Sequence, residues 1–363
     1  MSENPVALAV REALKKVPVP GGGNLANYPG LSEIIVTPSA LALAISVEAG
    51  MEGAFGPVRA AATEAAEEVA EGRKVLVSLT ADNAPAGAGK PGAPPPQAAP
   101  SAPRPVEGIR NIIMVASGKG GVGKSTCSVN LALALKDKGL KVGVLDADLY
   151  GPSIPKLLGI EGKPAFRDEK LFLPFEAFGL KTMSIGPMVE ADQAVVWRGP
   201  MASSALRQLL RETEWGELDV LIIDLPPGTG DIQISLGQSV AVAGAVIVST
   251  PQDLALIDAR RAVNMFKRMK VPVLGLIENM SYFVAPDTGV RYDIFGHGGA
   301  RDEAEKLGIP FLGEVPLHMA IREQSDAGAP VVFAHPDSAE AQAFSRIASA
   351  MLEAVPDLSE GHL

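Results

Sequence analysis

Residues 111–126 read NIIMVASGKGGVGKST, a short apolar run that passes at once into a glycine-rich turn closing on Lys-Ser-Thr. Gly118, Gly123, Lys124 and Ser125 fit the pattern G-x-x-x-x-G-K-[ST]. In that pattern backbone N–H groups wrap phosphates, the lysine reaches the β- and γ-oxygens, and the hydroxyl ligates Mg²⁺. Glycine is needed because a side chain would hold the backbone off the anion. The pattern carries weight only between a strand and a helix. Here Ile112, Ile113, Met114 and Val115 make a buried-strand run, and Ser125 to Lys138 places Val129, Leu131, Leu133 and Leu135 on a proline-free segment of helical length. Gly118, Lys119, Gly120, Gly121, Val122, Gly123, Lys124, Ser125 and Thr126 are therefore the expected triphosphate site, with ATP and Mg²⁺ as its ligands.

The 363 residues exceed one average domain, so two domains are expected. A hydrophobic fraction of 47% with 20% charged residues fits a globular enzyme. The net charge of −10 disfavours a phosphate-backbone binder, and no nucleic-acid partner is expected. No uncharged run approaches the about eighteen apolar residues of a membrane span, so no membrane partner is expected either. One cysteine excludes an intramolecular disulfide, and MSENPVALAVREALKK lacks the basic start and unbroken apolar core of a signal peptide. A cytoplasmic location is the expectation.

Along the chain, residues 1–81 give a coarse α-β-β-α-β pattern of a small α+β domain: a helix over Val6–Val17, strands near Ser32–Pro38 and Ala40–Glu48, a helix at Gly56–Glu71 and a strand at Lys74–Thr80. Residues 82–107, rich in Pro, Ala and Gly, cannot build a core and read as a linker. From 108 to 363 apolar strands alternate with helical patterns, the signature of a mainly parallel sheet covered by helices on both faces. Strands are expected at Asn111–Ser117, Val142–Asp146, Leu218–Asp224, Ala245–Thr250, Val273–Glu278 and Phe311–Val315. Short extended pieces, including Leu180–Ser184, are expected within Phe166–Val196. Helices are expected at about 125–138, 200–212, 232–242, 254–269, 299–307 and 338–354.

Three carboxylates fall at strand ends, where ligands of open α/β sheets collect. Asp146 and Asp148 close one strand in VLDADLYGPSIP, and Asp224 closes the apolar run VLIID before LPPGTGD. A carboxylate at such an edge can hold Mg²⁺ through water or orient an attacking water; a turn cap is the ordinary alternative. Gly228 and Gly230 allow the loop after Asp224 to approach a γ-phosphate through its backbone. Asn279, in Glu-Asn-Met at 278–280, has the bidentate geometry that reads N6 and N7 of adenine, or else caps a strand end. Lys119 gives the turn KGGVGKS a second lysine, either a solvated surface cation or one placed to offset charge on the transferred phosphoryl group.

With that second lysine the turn resembles the deviant phosphate loop of the MinD/ParA/nitrogenase-iron-protein group of P-loop NTPases. The resemblance implies that Lys119 crosses a dimer interface to the partner's nucleotide. It assigns the attacking water mainly to Asp148, giving Lys119, Lys124 and Asp148 as catalytic residues. Asp146 lies nearer the metal shell with Ser125 and Asp224, and Gly151, Pro152 and Ser153 form a first switch loop.

ASGKGGVGKST, DADLYGPS, WRGPM, DLPPGTGD, PQDLALIDARRAVNMF, ENMSYF and FGHGGA, in this order over residues 108–335, are similar to the Mrp/NBP35/ApbC ATPases. That resemblance implies a nucleotide-dependent homodimer with weak ATP hydrolysis that carries or scaffolds iron–sulfur clusters, with assembly or recipient proteins as partners. PVPGGGNLANYPG in the small domain resembles MIP18-type assembly proteins, although Val47–Pro57 holds no counterpart to their reactive cysteine; a docking or dimer-support module is the reading. The family's Cys-x-x-Cys pair follows ENMSYF, and here that place reads Val284-Ala285-Pro286-Asp287-Thr288. Thiolates are the usual cluster ligands, so no iron–sulfur ligands are found and a bound cluster is doubtful. Cys127 lies in the helix after the turn and reads as a small buried residue. His297, His318, His335 and His362 are scattered without metal-site spacing. Two rival readings remain: a membrane- or nucleoid-positioning ATPase, which the acidic C-terminus disfavours, and a nucleotide-switched adaptor that carries no cluster.

Overall fold

A computed structural model of the chain describes residues 5–36, 40–48, 51–70, 72–82, 103–167, 171–188 and 199–355. Trp197 and Arg198 of WRGPM, most of the expected linker and His362 lie outside them. The chain separates into two compact units, Met1–Gln97 and Ala98–Leu363.

The smaller unit holds a three-stranded sheet in the order Ile35–Val36, Ala40–Glu48, Lys74–Asp82, the first pair antiparallel and the second parallel. Leu41, Leu43, Ile45 and Val47 alternate along the middle strand and point one way, onto Val10 and Leu14 of the helix Pro5–Leu14 and Phe55 and Ala62 of the helix Glu52–Glu67. That second helix starts four residues ahead of its expected position. Pro57 sits inside it rather than at its start, as the sixth helical residue and past the first turn where a missing N–H is tolerated, so it leaves the Gly53 carbonyl without its i+4 donor.

The larger unit is built on β1 (Ile109–Ser117), α1 (Lys124–Asp137), β2 (Val142–Asp146), β3 (Phe175–Ala177), β4 (Leu180–Ser184), α2 (Gly199–Arg211), β5 (Leu218–Asp224), α3 (Asp231–Ser239), β6 (Gly244–Ser249), α4 (Asp253–Arg268), β7 (Val273–Glu278), α5 (Gly299–Leu307), β8 (Phe311–Glu314) and α6 (Ala339–Glu353). Its eight-stranded sheet runs β8-β7-β6-β1-β5-β2-β4-β3, parallel throughout except for the edge pair β3 and β4. Side chains alternate across it. Ile112 and Met114 of β1 face the layer formed by α2, α3, α4 and α5, whereas Ile113 and Val115 face α1 and α6. Both faces are therefore dry, which is why the strands read as unbroken apolar runs. The expected α/β architecture, a mainly parallel sheet between two helical layers, preceded in the chain by a small α+β unit, is what the structure shows.

Three short helices, Ile154–Leu157, Met319–Asp326 and Val331–Ala334, and a hairpin of Phe283–Val284 with Arg291–Tyr292 lie outside the elements expected from the sequence. Helix α3 ends at Ser239, earlier than the expected 242, since Val240 already has extended geometry.

Candidate functional site

Parallel pairing aligns the strand ends. Asp224 stands directly beside Asp146, and Asp146 beside Ser184, in a row across β5, β2 and β4. The glycine turn leaves the end of β1, next to β5 in the sheet, so the cradle and the carboxylates share one edge.

The turn's glycines meet close neighbours. A methyl group on Gly118 would lie 2.1 Å from the backbone carbon of Asp258 in α4. Gly123 has φ +80°, and a methyl there would lie 2.2 Å from Asn279 Nδ2. Gly121 also has positive φ. Ser117 Oγ donates to the Lys119 carbonyl at 2.9 Å, closing the turn on itself. Lys124 opens α1, so the helix's free N–H groups and positive dipole end face the cradle.

Asp224 is fully buried and gathers three donors. Lys124 Nζ lies 2.7 Å from its Oδ2, Ser125 Oγ donates to Oδ2 at 2.5 Å and Ser128 Oγ donates to Oδ1 at 2.6 Å. This lysine–carboxylate pair is paired and hydrogen-bonded on every side, the condition for keeping charge in a dry interior. Ser128 was missed in the sequence, although its signal is plain: three residues after Ser125 and four after Lys124 it shares their helix face. The Ser125 hydroxyl and the Asp224 carboxylate are hard oxygens of the kind that fits Mg²⁺, and they could hold it.

Asp146 is also fully buried, but its oxygens face other duties. They accept from Ser184 Oγ at 3.0 Å and from the backbone N–H groups of Asp148 at 3.1 Å and Ile154 at 3.3 Å. It thereby ties both ends of the 147–153 loop to the sheet. Burial pushes its carboxyl up to about 7, and the neighbouring Asp224 adds to the rise. Asp148 is half-buried, and burial raises its carboxyl too, with Lys124 opposing.

After β5 the second loop is pinned: Gly228 N–H donates to the Ser117 carbonyl at 2.8 Å, and buried Gln233 donates through Nε2 to the carbonyls of Pro226 and Gly228. Gly230 precedes α3 as its cap. Gln233 was also missed, because an amide at the start of a helix carries no motif. Asn279 is buried with Nδ2 donating to the Val122 carbonyl at 2.8 Å, so in this arrangement its amide braces the cradle. Among the described residues the Lys119 ammonium has no hydrogen bond or ion pair, in contrast to Lys124.

Cys127 is buried in α1, and burial pushes its thiol up to about 12, with Asp224 adding to the shift. Among the described residues no three His, Cys, Asp or Glu side chains gather into a metal-holding group. His318 instead caps the helix Met319–Asp326, accepting from Ala320 N–H through Nδ1. Among the described residues no helix is long and apolar enough to cross a membrane.

Comparison with known proteins agrees with this geometry. Residues 108–352 match a family model described as ParA, NUBPL iron-transfer P-loop NTPase. An iron-sulfur cluster carrier protein of Deinococcus radiodurans is 54% identical over 242 residues, 66% of this chain and 69% of that protein. The mouse iron-sulfur cluster transfer protein NUBPL is 53% identical over 248 residues, 68% of this chain and 78% of that protein. A solved nucleotide-binding protein from Archaeoglobus fulgidus in complex with ADP superposes with TM-score 0.55 at 39% identity, covering 71% of this chain and 93% of that one. The cell division ATPase MinD of Pyrococcus furiosus, at TM-score 0.51 and 23% identity over 67% of this chain and 98% of its own, shares the fold. With the phosphate cradle, the strand-end carboxylates and these relatives in agreement, the chain belongs to the ParA/NUBPL family of iron-transfer P-loop NTPases.

Proposed function

We propose that the protein is a dimerising, Mg-ATP-hydrolysing member of this family that serves iron–sulfur cluster delivery without a thiolate pair of its own. The observation that carries the nucleotide half is the convergence of Lys124, Ser125 and Ser128 on the buried carboxylate of Asp224. Gly118 to Thr126 wrap the triphosphate, and Lys124 exchanges its hold on Asp224 for the β- and γ-oxygens. Ser125 and Asp224, with Asp146 behind them, would hold Mg²⁺, whose charge would offset that of the phosphate oxygens. Asp148 orients water. Gly228, tied to Ser117, transmits loss of the γ-phosphate to the loop at 226–230. Lys119, without a partner of its own among the described residues, reaches the nucleotide of a second copy. Asn279 braces the cradle, and it reads adenine only by giving up its bond to Val122.

The relatives' names support cluster delivery as the setting. The cluster would be cargo rather than a resident cofactor, and the side chains of this chain do not fit it as direct ligands: the single thiol is buried and held protonated beside Asp224. That observation favours a second reading, a nucleotide-switched adaptor that presents recipient or assembly proteins to a cluster held elsewhere. ATP binding by titration calorimetry and phosphate release test the common core. The wild type is expected to bind Mg-ATP and turn it over slowly, and Lys124→Ala to lose binding. Undiminished ATP affinity in Lys124→Ala would sink the assignment.

A further inference from the structure

Glu278 ends β7, and its side chain and that of the following Asn279 leave the backbone on opposite sides. Asn279 turns to the cradle, with Nδ2 donating to the Val122 carbonyl and packed hard against Gly123. Glu278 turns the other way and is fully buried. Its Oε1 accepts from Ser281 Oγ at 2.6 Å and its Oε2 from Ala300 N–H at 2.7 Å. Among the described residues no lysine or arginine forms an ion pair with it.

Ser281 and Ala300 are the two ends of one excursion of the chain, residues 281–300, which contains the hairpin of Phe283–Val284 and Arg291–Tyr292. One carboxylate therefore fastens both stems. The excursion is also latched within itself. The Arg291 guanidinium lies 4.0 Å from the centroid of the Tyr282 ring and pairs with Asp293 at 2.9 Å. It reaches Glu314 of β8 at 3.7 Å. The backbone between the two side chains is held as well: Asn279 N–H donates to the Ser249 carbonyl at 2.8 Å, and Val315 N–H donates to the Glu278 carbonyl at 2.8 Å. A displacement of Val122 and Gly123 would therefore press on Asn279 within a backbone held on both sides, next to the stems.

We infer that Glu278 is a positioning residue that couples nucleotide occupancy of the cradle to the placement of the 281–300 excursion, with Asn279 as the input and the carboxylate as the output. The inference rests on the nucleotide reading above and goes beyond it by naming the segment that the cradle moves. A buried carboxylate with two short hydrogen bonds and no counter-ion is costly to keep, and here it holds the base of the segment that lies closest in the chain to the strand end braced on the phosphate loop.

Hydrogen exchange of the full chain, read by mass spectrometry with and without Mg-ADP, tests it beside calorimetric titration of the same nucleotide. In the wild type Mg-ADP is expected to slow exchange in 118–126 and, by about tenfold, in 281–300. Glu278→Ala and the milder Ser281→Ala are expected to keep Mg-ADP affinity and cradle protection while the 281–300 response falls to a small fraction. Glu278→Gln, which retains an acceptor for Ala300 N–H, is expected to recover most of it; a merely structural loss would not show this split. If Glu278→Ala does not fold, Ser281→Ala alone decides. A wild-type excursion indifferent to Mg-ADP, or a full response in Ser281→Ala, would overturn the coupling. Absence of Mg-ADP binding by the wild type would instead overturn the nucleotide reading, and the coupling with it.

Discussion

Asp146 and Asp224 stand side by side on adjacent strands, yet they do different work because their donors differ. Asp224 is met by an ammonium and two hydroxyls, whereas Asp146 is met by one hydroxyl and two backbone N–H groups, with no cation at hydrogen-bond distance. Desolvation therefore wins at Asp146 and lifts its carboxyl to about 7, above the model-compound value of 3.8. The folded chain keeps this proton over a range in which the unfolded chain has released it. By linkage, the contribution of this group to stability falls as pH rises from about 4 to about 7 and levels off above. In metal-free protein, denaturant midpoints across that window should show this decline, and Asp146→Asn should flatten it. A wild-type profile that Asp146→Asn leaves unchanged would remove the argument. At Cys127 the same desolvation keeps a thiol protonated, which makes it inert toward metals and oxidants.

At the scale of elements, the cradle is a contact between β1, α1, α4 and the end of β7. Gly118 is where β1 hands over to the turn, and its place is dictated by the α4 backbone rather than by the phosphate alone. Gly118→Ala would drive a methyl into the Asp258 carbonyl, and backbone cannot step aside as a flexible side chain can. A loss of about 1–3 kcal/mol is expected, visible as a lower melting temperature with weaker Mg-ATP binding. Wild-type melting and affinity would contradict the packing argument. Elements with continuous apolar runs bounded by Gly, Pro or Asp were legible to the residue: β2, β5 and β7 match their expected bounds. What could not be read was short or capped unusually. Met319–Asp326 is started by a histidine side chain, not by the Ser, Thr, Asp or Asn that signals a helix start. The 283–292 hairpin pairs only two residues on each strand, and its latch depends on Glu314, distant in sequence. Glu278 escaped for the same reason, since its partner Ala300 lies 22 residues on and only the fold brings it near.

At the scale of the molecule, the cradle holds one lysine inward and leaves one without a partner. Lys124 is committed to Asp224, and Lys119 has no partner among the described residues. The account therefore expects a second copy to complete the site. Lys119→Ala should bind ATP as the wild type does but turn it over more slowly, by tenfold or more if the lysine acts as arginine fingers do, for which factors of about 10³ or more are known. Light scattering should find a dimer with Mg-ATP. Unchanged hydrolysis in Lys119→Ala would reject the role in trans.

The most direct test of the central claim, that the nucleotide machinery is intact while cluster ligation by this chain's own thiols is gone, is anaerobic loading of the full chain with iron and sulfide. Visible absorption and iron bound per dimer are then measured alongside ATP binding. The account predicts ATP binding without a stable stoichiometric cluster. A stoichiometric cluster that survives gel filtration on the isolated protein would contradict it.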